Sequence, residues 1–370
     1  MAAAVVALLT LAATTPAAAS GEATAGRRPS LADRLDEDSA ALVAAGATAA
    51  QVRVDVPGLH RSFAAGLADV PGGVPMTPDA TFRIGSTTKT LVATVVLQLV
   101  GEARIGLDVP IEHYLPGLVP GGGAITVRQV LDHRSGLHDY VYALDVGTED
   151  WFTHGRFRTW TAREKLAAGV GMPPYFAPGT GYRYSNTDYI VAGMLIERVT
   201  GRTYAEEVTR RVLRPLGLRH TSFPGTSTTI PGPHARAYAE LEPEPLDVTE
   251  FNPSQAGASG EVLSTGRDLN RFVRALLAGT LLRPNQLREM KATLDTGLPY
   301  RYGLGLESEV LACGVTVWGH PGGVPGSMTE MWATADGRRS VSVSYNPLGL
   351  KANDAQRAAV GTLLADALCP

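Results

Sequence analysis

The chain has few lysines, few cysteines and no excess of either charge. Only Lys89, Lys165, Lys291 and Lys351 are lysines, among 33 basic residues in 370. The net charge of −3 leaves no basic footprint for nucleic acid and no polybasic patch for anionic lipid. After the first twenty residues no apolar run is long enough to cross a bilayer, so stable membrane insertion is not expected. Cys313 and Cys369 are too few and too far apart for a Cys-rich zinc site. No H-E-x-x-H occurs, and His133 and His138 lack the helical spacing of metal ligands. What remains is small-molecule or peptide chemistry, needing no metal or cofactor. The length and the 44% hydrophobic content allow a substantial core, in two or three domains or one enzyme-sized unit.

The opening "MAAAVVALLTLAATTPAAAS" ends in Ala17-Ala18-Ala19-Ser20 and reads as a signal-peptide apolar region with an A-x-A cleavage site, although a charged n-region is missing. Residues 1–19 are therefore expected to be cleaved on secretion, with 20–30 as a linker. Export makes one disulfide plausible, two unpaired buried thiols being the alternative.

Hydrophobic periodicity predicts a helix over 31–45, a half-buried strand over 51–56 ("QVRVDV") and a second strand over 59–65. From Ser86 a helix apolar almost all round runs to Gly101, and such a helix belongs inside the molecule. Pro and Gly punctuate short helical segments up to Gly217, and a Pro-rich stretch follows to Pro253. A helix over 265–278, strands at 303–309, 315–319, 329–334 and 340–345, and a closing amphipathic helix over 353–368 complete the pattern. The expected organisation is an α/β domain in two parts, 31–105 and 251–370, interrupted by a mainly helical domain over 106–250.

In "GSTTKTLVA" a serine stands three residues before a lysine, in a chain that otherwise prefers arginine. Residues i and i+3 share one helix face, so the Lys89 amine can reach the Ser86 hydroxyl. A helix N-terminus and burial both disfavour the ammonium, leaving an amine able to accept the serine proton. A lone S-x-x-K is weak evidence, since a chain this long holds roughly one by chance. Two further elements strengthen it. "GYRYSNTDY" supplies Tyr184, whose phenol can relay a proton, and Asn186, whose amide can hold a substrate carbonyl. "VWGHPGG" supplies His320, Gly322 and Gly323, where glycines admit a ligand close to the backbone. Backbone N–H groups of Ser86 and Gly323 are candidates for an oxyanion hole. Thr88, inside the first motif, joins Asn186, Gly322 and Gly323 as a candidate substrate contact.

The set S-x-x-K, Y-x-N, H-x-G resembles the penicillin-recognising serine hydrolases. The stretches "FRIGSTTK", "ITVRQVLDHRSGLHDY", "YRYSNTDYIVAGMLIERVTG", "YGLGL" and "LACGVTVWGHPGG" are similar to secreted actinobacterial D-alanyl-D-alanine carboxypeptidases. The resemblance implies an antiparallel sheet flanked by helices, an inserted all-α domain and a cleft between them. It implies Ser86 as acylated nucleophile, Lys89 as activating amine, Tyr184 as proton relay and Asn186 as holder of the acyl amide. His320 then shapes Tyr184, Gly323 donates the second oxyanion N–H, and Cys313 pairs with Cys369. The implied partners are small peptide, ester or β-lactam substrates.

Three positions depart from that pattern. Pro321 and Gly323 stand where hydroxyls are implied, and Glu307 stands where an arginine is implied. Such groups bind a free carboxylate. Losing one charge-assisted bond weakens recognition by about 1.5–3 kcal/mol, and a glutamate is expected to add repulsion. Arg183 and Arg301 are the candidate replacements. The expected function is a serine hydrolase with D-alanyl-D-alanine carboxypeptidase as the default. The same-fold alternatives are a D-amino-acid amidase or peptidase, an esterase, a class C type β-lactamase and a peptide cyclase. A catalytically inactive peptide- or penicillin-binding protein is the alternative of another class, disfavoured because Ser86, Lys89 and Tyr184 are all present. The departures favour a D-amino-acid peptide, amide or ester without a free carboxylate.

Overall fold

The computed structural model describes residues 29–240 and 244–370. The expected signal peptide and residues 20–28 of the linker lie outside the described residues. The elements that position the site are α1 (Leu31–Ala44), β1 (Ala47–Val56), β2 (Leu59–Asp69), α2 (Thr88–Gly101), α3 (Asn186–Thr200), α4 (Gly266–Leu277), β3 (Glu307–Val310), β4 (Thr316–Gly319), β5 (Gly322–Val324), β6 (Ser327–Thr334), β7 (Ser340–Pro347) and α5 (Asp354–Leu368).

The strands form one antiparallel sheet in the order β2-β1-β7-β6-β4-β3, extended at its edges by two-residue strands, with β5 pairing β6 off this path. Side chains alternate across each strand, so β6 sends Trp332 into a core with α1 and α5 while Met331 and Ala333 join the core around α2, α3 and α4. Helices thus cover both faces. Among the described residues no helix is long and apolar enough to cross a membrane.

The strand expected to be half-buried is buried on both faces from Gln51 to Val56. Its alternation is real, but its polar face is covered too. Arg53 and Asp55 bond each other in a bidentate pair, and Asn270 of α4 donates to Asp55 at 2.9 Å. Polar residues that satisfy one another can be buried without an apolar side chain.

The helix expected to start at Ser86 instead begins with a single 3₁₀ turn, Gly85–Thr87, before α2. That turn lifts Ser86 out of the core while Thr87 to Leu97 are all buried. The turn abuts β5 backbone to backbone. A Cβ on Gly322 would lie 1.9 Å from the Ile84 carbonyl oxygen, and one on Gly85 (φ +49°) would lie 2.5 Å from the Gly323 nitrogen. Only glycine permits that approach.

Candidate active site

Ser86 opens into a cavity of about 540 Å³. Asn186, Ser259 and Gly323 share its wall, and most of the remaining lining is apolar, including Val141, Leu144, Trp151, Phe251 and Met328. Lys89 lies behind the serine and is fully buried. Its Nζ is 2.9 Å from Ser86 Oγ, 2.7 Å from Asn186 Oδ1 and 2.8 Å from the Ser259 carbonyl oxygen.

These three contacts fix what Lys89 can do. Burial pushes its pKa down to about 7, opposed most by the nearby Asp139. A neutral amine has two hydrogens and one lone pair. The carbonyl oxygens of Asn186 and Ser259 only accept, so they take the two hydrogens and the lone pair is left facing the Ser86 hydroxyl. The amine is thereby oriented as a base. Tyr184 is placed differently: burial drives its pKa well above 10, only partly offset by its hydrogen bond with Ser86. Its proton is therefore retained at neutral pH, and its ring lies 4.8 Å from Lys89 Nζ.

Asn186 is held in one orientation by Asp139, which accepts from its Nδ2 at 2.9 Å. Asp139 and the Ser259 carbonyl are site groups that the motifs do not reveal. Asp139 lies within "GLHDY", conspicuous only as part of a longer similar stretch, and Ser259 lies in "QAGASG", where nothing marks a backbone carbonyl.

Three expected site residues sit elsewhere. Thr88 is fully buried and its hydroxyl accepts from Val262 N–H at 3.3 Å, so it faces the core and not the substrate. Gly322 is buried against Ile84 and is a packing residue, whereas Gly323 is exposed on the cavity wall. His320 is 1% exposed, does not line the cavity, and is held neutral because burial lowers its pKa to about 3. It hydrogen-bonds Tyr302 at 3.0 Å and lies 6.3 Å, ring to ring, from Tyr184.

The expected repulsion from Glu307 is also corrected. Its side chain is buried behind His320, 3.7 Å from Nε2, and burial raises its pKa well above the usual carboxylate range. It neither lines the cavity nor carries charge into it. Arg183 lies over Tyr175 and Arg301 bonds Thr293, both at the surface and outside the cavity wall. Among the described residues lining the cavity, Lys351 is the one cation and Asp145 the one anion. Cys313 and Cys369 are joined in a disulfide.

A family model described as Beta-lactamase matches residues 31–365. Among solved structures, a D-stereospecific amidohydrolase from Streptomyces sp. is 38% identical, covering 92% of this chain and 99% of its own, with a TM-score of 0.84. A D-amino acid amidase from Ochrobactrum anthropi SV3, solved with D-phenylalanine, is 28% identical over 91% of this chain and 98% of its own, with a TM-score of 0.82. Penicillin-binding protein 4* of Bacillus subtilis (strain 168) is 25% identical over 305 residues, 76% of this chain. The chain spans about half to two thirds of the length of such curated relatives.

Proposed function

The chain belongs to the beta-lactamase family of serine hydrolases, and we propose that within it this protein is a D-stereospecific amidase or peptidase whose substrates lack a free carboxylate beside the scissile bond. The observation that carries the chemistry is the contact of Lys89 Nζ with Ser86 Oγ at 2.9 Å, made by an amine whose pKa is lowered to about 7. Lys89 takes the Ser86 proton as Oγ attacks the acyl carbon. The Ser86 and Gly323 N–H groups receive the oxyanion. The amide nitrogen leaves with a proton delivered through Tyr184, giving an acyl-enzyme on Ser86 that water then hydrolyses.

Two observations support the choice of substrate. No guanidinium lines the described cavity wall, and the lone lining cation, Lys351, is exposed, so nothing there is built to hold a carboxylate bidentately. The apolar wall suits a bulky side chain on the acyl residue. The similar solved structures include a D-stereospecific amidohydrolase and a D-amino acid amidase, which agrees with this reading. The carboxypeptidase reading has no comparable anchor for its carboxylate.

The test of acylation is intact-mass spectrometry after brief incubation with a D-amino-acid ester or a penicillin. A single adduct localised to Ser86 and absent from Ser86→Ala is expected. An adduct on another residue, or one that persists in Ser86→Ala, would rule out Ser86 as the nucleophile.

A further inference from the structure

Under the active site four buried side chains form a chain of hydrogen bonds that neither the motifs nor the proposed reaction requires. Asp188 Oδ2 lies 2.9 Å from His133 Nδ1, His133 Nε2 lies 3.2 Å from Tyr302 Oη, Tyr302 Oη lies 3.0 Å from His320 Nε2, and His320 Nδ1 lies 2.6 Å from the Pro321 carbonyl oxygen. All four residues are at most 1% exposed.

The direction of each bond can be worked out from either end. The Pro321 oxygen only accepts, so His320 carries its hydrogen on Nδ1 and leaves Nε2 as an acceptor. Tyr302 must then donate to His320, and its oxygen accepts from a hydrogen on His133 Nε2. From the other end, the Ser185 backbone N–H points at His133 Nδ1 at 3.3 Å. That nitrogen therefore carries a lone pair, which the weaker Ser185 contact shares with the nearer Asp188 oxygen. Both ends give the same tautomer of His133. A carboxylate cannot donate to a lone pair, so Asp188 must supply the hydrogen.

We propose that Asp188, His133, Tyr302 and His320 form one neutral, one-directional hydrogen-bond chain in which Asp188 is protonated and donates to His133 Nδ1. Ser135 completes the arrangement by donating to the other Asp188 oxygen. The chain ties the start of α3, which carries Asn186, to the residue preceding β5, which carries Gly323. Between them the His133 ring packs on Tyr184 with centroids 4.3 Å apart. These four are positioning residues: they hold Tyr184 and the Gly323 strand and do not touch the cavity.

The surrounding charges agree. Asp188 faces Lys89, Asp132 and Asp139; His133 and His320 face Lys89; Tyr302 faces Tyr182, Tyr184, Tyr189 and Glu307. Burial, with Asp132 and Asp139, raises the Asp188 pKa well above the carboxylate range, against Ser135 and Lys89. Burial, then Lys89, takes His133 well below 6.5. The positive end of α3 favours a carboxylate, but an ion stripped of water loses more than a helix end returns. Glu307 does not break the chain, because 3.7 Å from His320 Nε2 is beyond hydrogen-bond reach.

The consequence is that Lys89 keeps no ionised partner at Asp188, so Asp139 is the main carboxylate opposing the effect of burial on its proton affinity. The test uses the free protein, so failure of the amidase reading leaves it intact. Nitrogen-15 spectra of labelled histidines are expected to show His133 protonated only on Nε2 and His320 only on Nδ1, unchanged between about pH 5 and 8. Asp188→Asn, whose amide can donate to Nδ1 and accept from Ser135, is expected to keep both tautomers and leave the acid limb of Ser86 acylation unmoved. An imidazolium at His133, a hydrogen on its Nδ1, or loss of the His133 tautomer in Asp188→Asn would each overturn the proposal.

Discussion

Lys89 Nζ stands 2.9 Å from Ser86 Oγ while donating to two carbonyl oxygens that cannot donate back. An arginine in its place keeps the charge but cannot usefully give up a proton. Lys89→Arg is therefore expected to lose about as much acylation rate as Lys89→Ala, on the order of 10²–10⁴-fold. Stopped-flow acylation by a chromogenic ester checks this, and an arginine variant within tenfold of wild type would contradict the base role.

The pH dependence follows from the same amine. Acylation requires neutral Lys89, so its rate is expected to rise with pH through about 7 and level off above. Asp139 is the largest group holding the proton on Lys89; Asp139→Asn should move that acid limb to lower pH, read from pre-steady-state rates across pH. Stability carries the matching sign. The folded-state pKa of about 7 lies below the ordinary 10.5, so between those values the unfolded chain binds more protons and stability rises with pH. Lys89→Met removes that dependence. The stability difference, wild type minus Lys89→Met, is expected to grow in favour of wild type from pH 7 to 10, with an upper slope of about 1.4 kcal/mol per pH unit. Denaturant melts at several pH values measure it.

The contact between Ser86 and Lys89 was readable because residues three apart at a helix start are close whatever the rest of the chain does. Tyr184 and Asn186 were readable from a similar motif, and both lie beside Lys89. Thr88 and Gly322 were misplaced for one reason: direction at the start of α2 and on β5 is set by what packs on them. A 3₁₀ turn points Ser86 outward and Thr88 inward. Asp139 and the Ser259 carbonyl stayed hidden because each reaches the site from a segment distant in sequence, 47 residues before Asn186 in one case and 170 after Lys89 in the other. The repulsive role given to Glu307 failed because alignment locates a residue on a strand but does not say that its side chain is buried beside His320 and off the cavity wall.

Gly322 supports the oxyanion strand by lacking a side chain. A Cβ there would meet the Ile84 carbonyl oxygen at 1.9 Å and Thr87 Oγ1 at 2.9 Å, and the first is backbone that cannot step aside. Gly322→Ala is expected to destabilise by about 1–3 kcal/mol and to reduce acylation by displacing Gly323. A variant with wild-type melting temperature and rate would show that β5 does not need this contact.

The disulfide joins the turn after β3 to the end of α5, across 56 residues and away from the cavity. Replacing both cysteines by serine is expected to lower stability by about 2–4 kcal/mol with kcat/KM on a D-amino-acid amide unchanged. Paired thermal melts and rates check it.

The central claim is that Ser86 and Lys89 attack amides of D-amino acids in a cavity without a carboxylate anchor. The most direct measurement is kcat/KM on three substrates under one condition: an aromatic D-amino-acid amide, its L-enantiomer, and an acyl-D-Ala-D-Ala peptide with a free carboxylate. The D-amide is expected to exceed both others, the peptide by roughly one to two decades for the missing charge-assisted bond. Equal or faster turnover of the free-carboxylate peptide, abolished in Ser86→Ala, would contradict it.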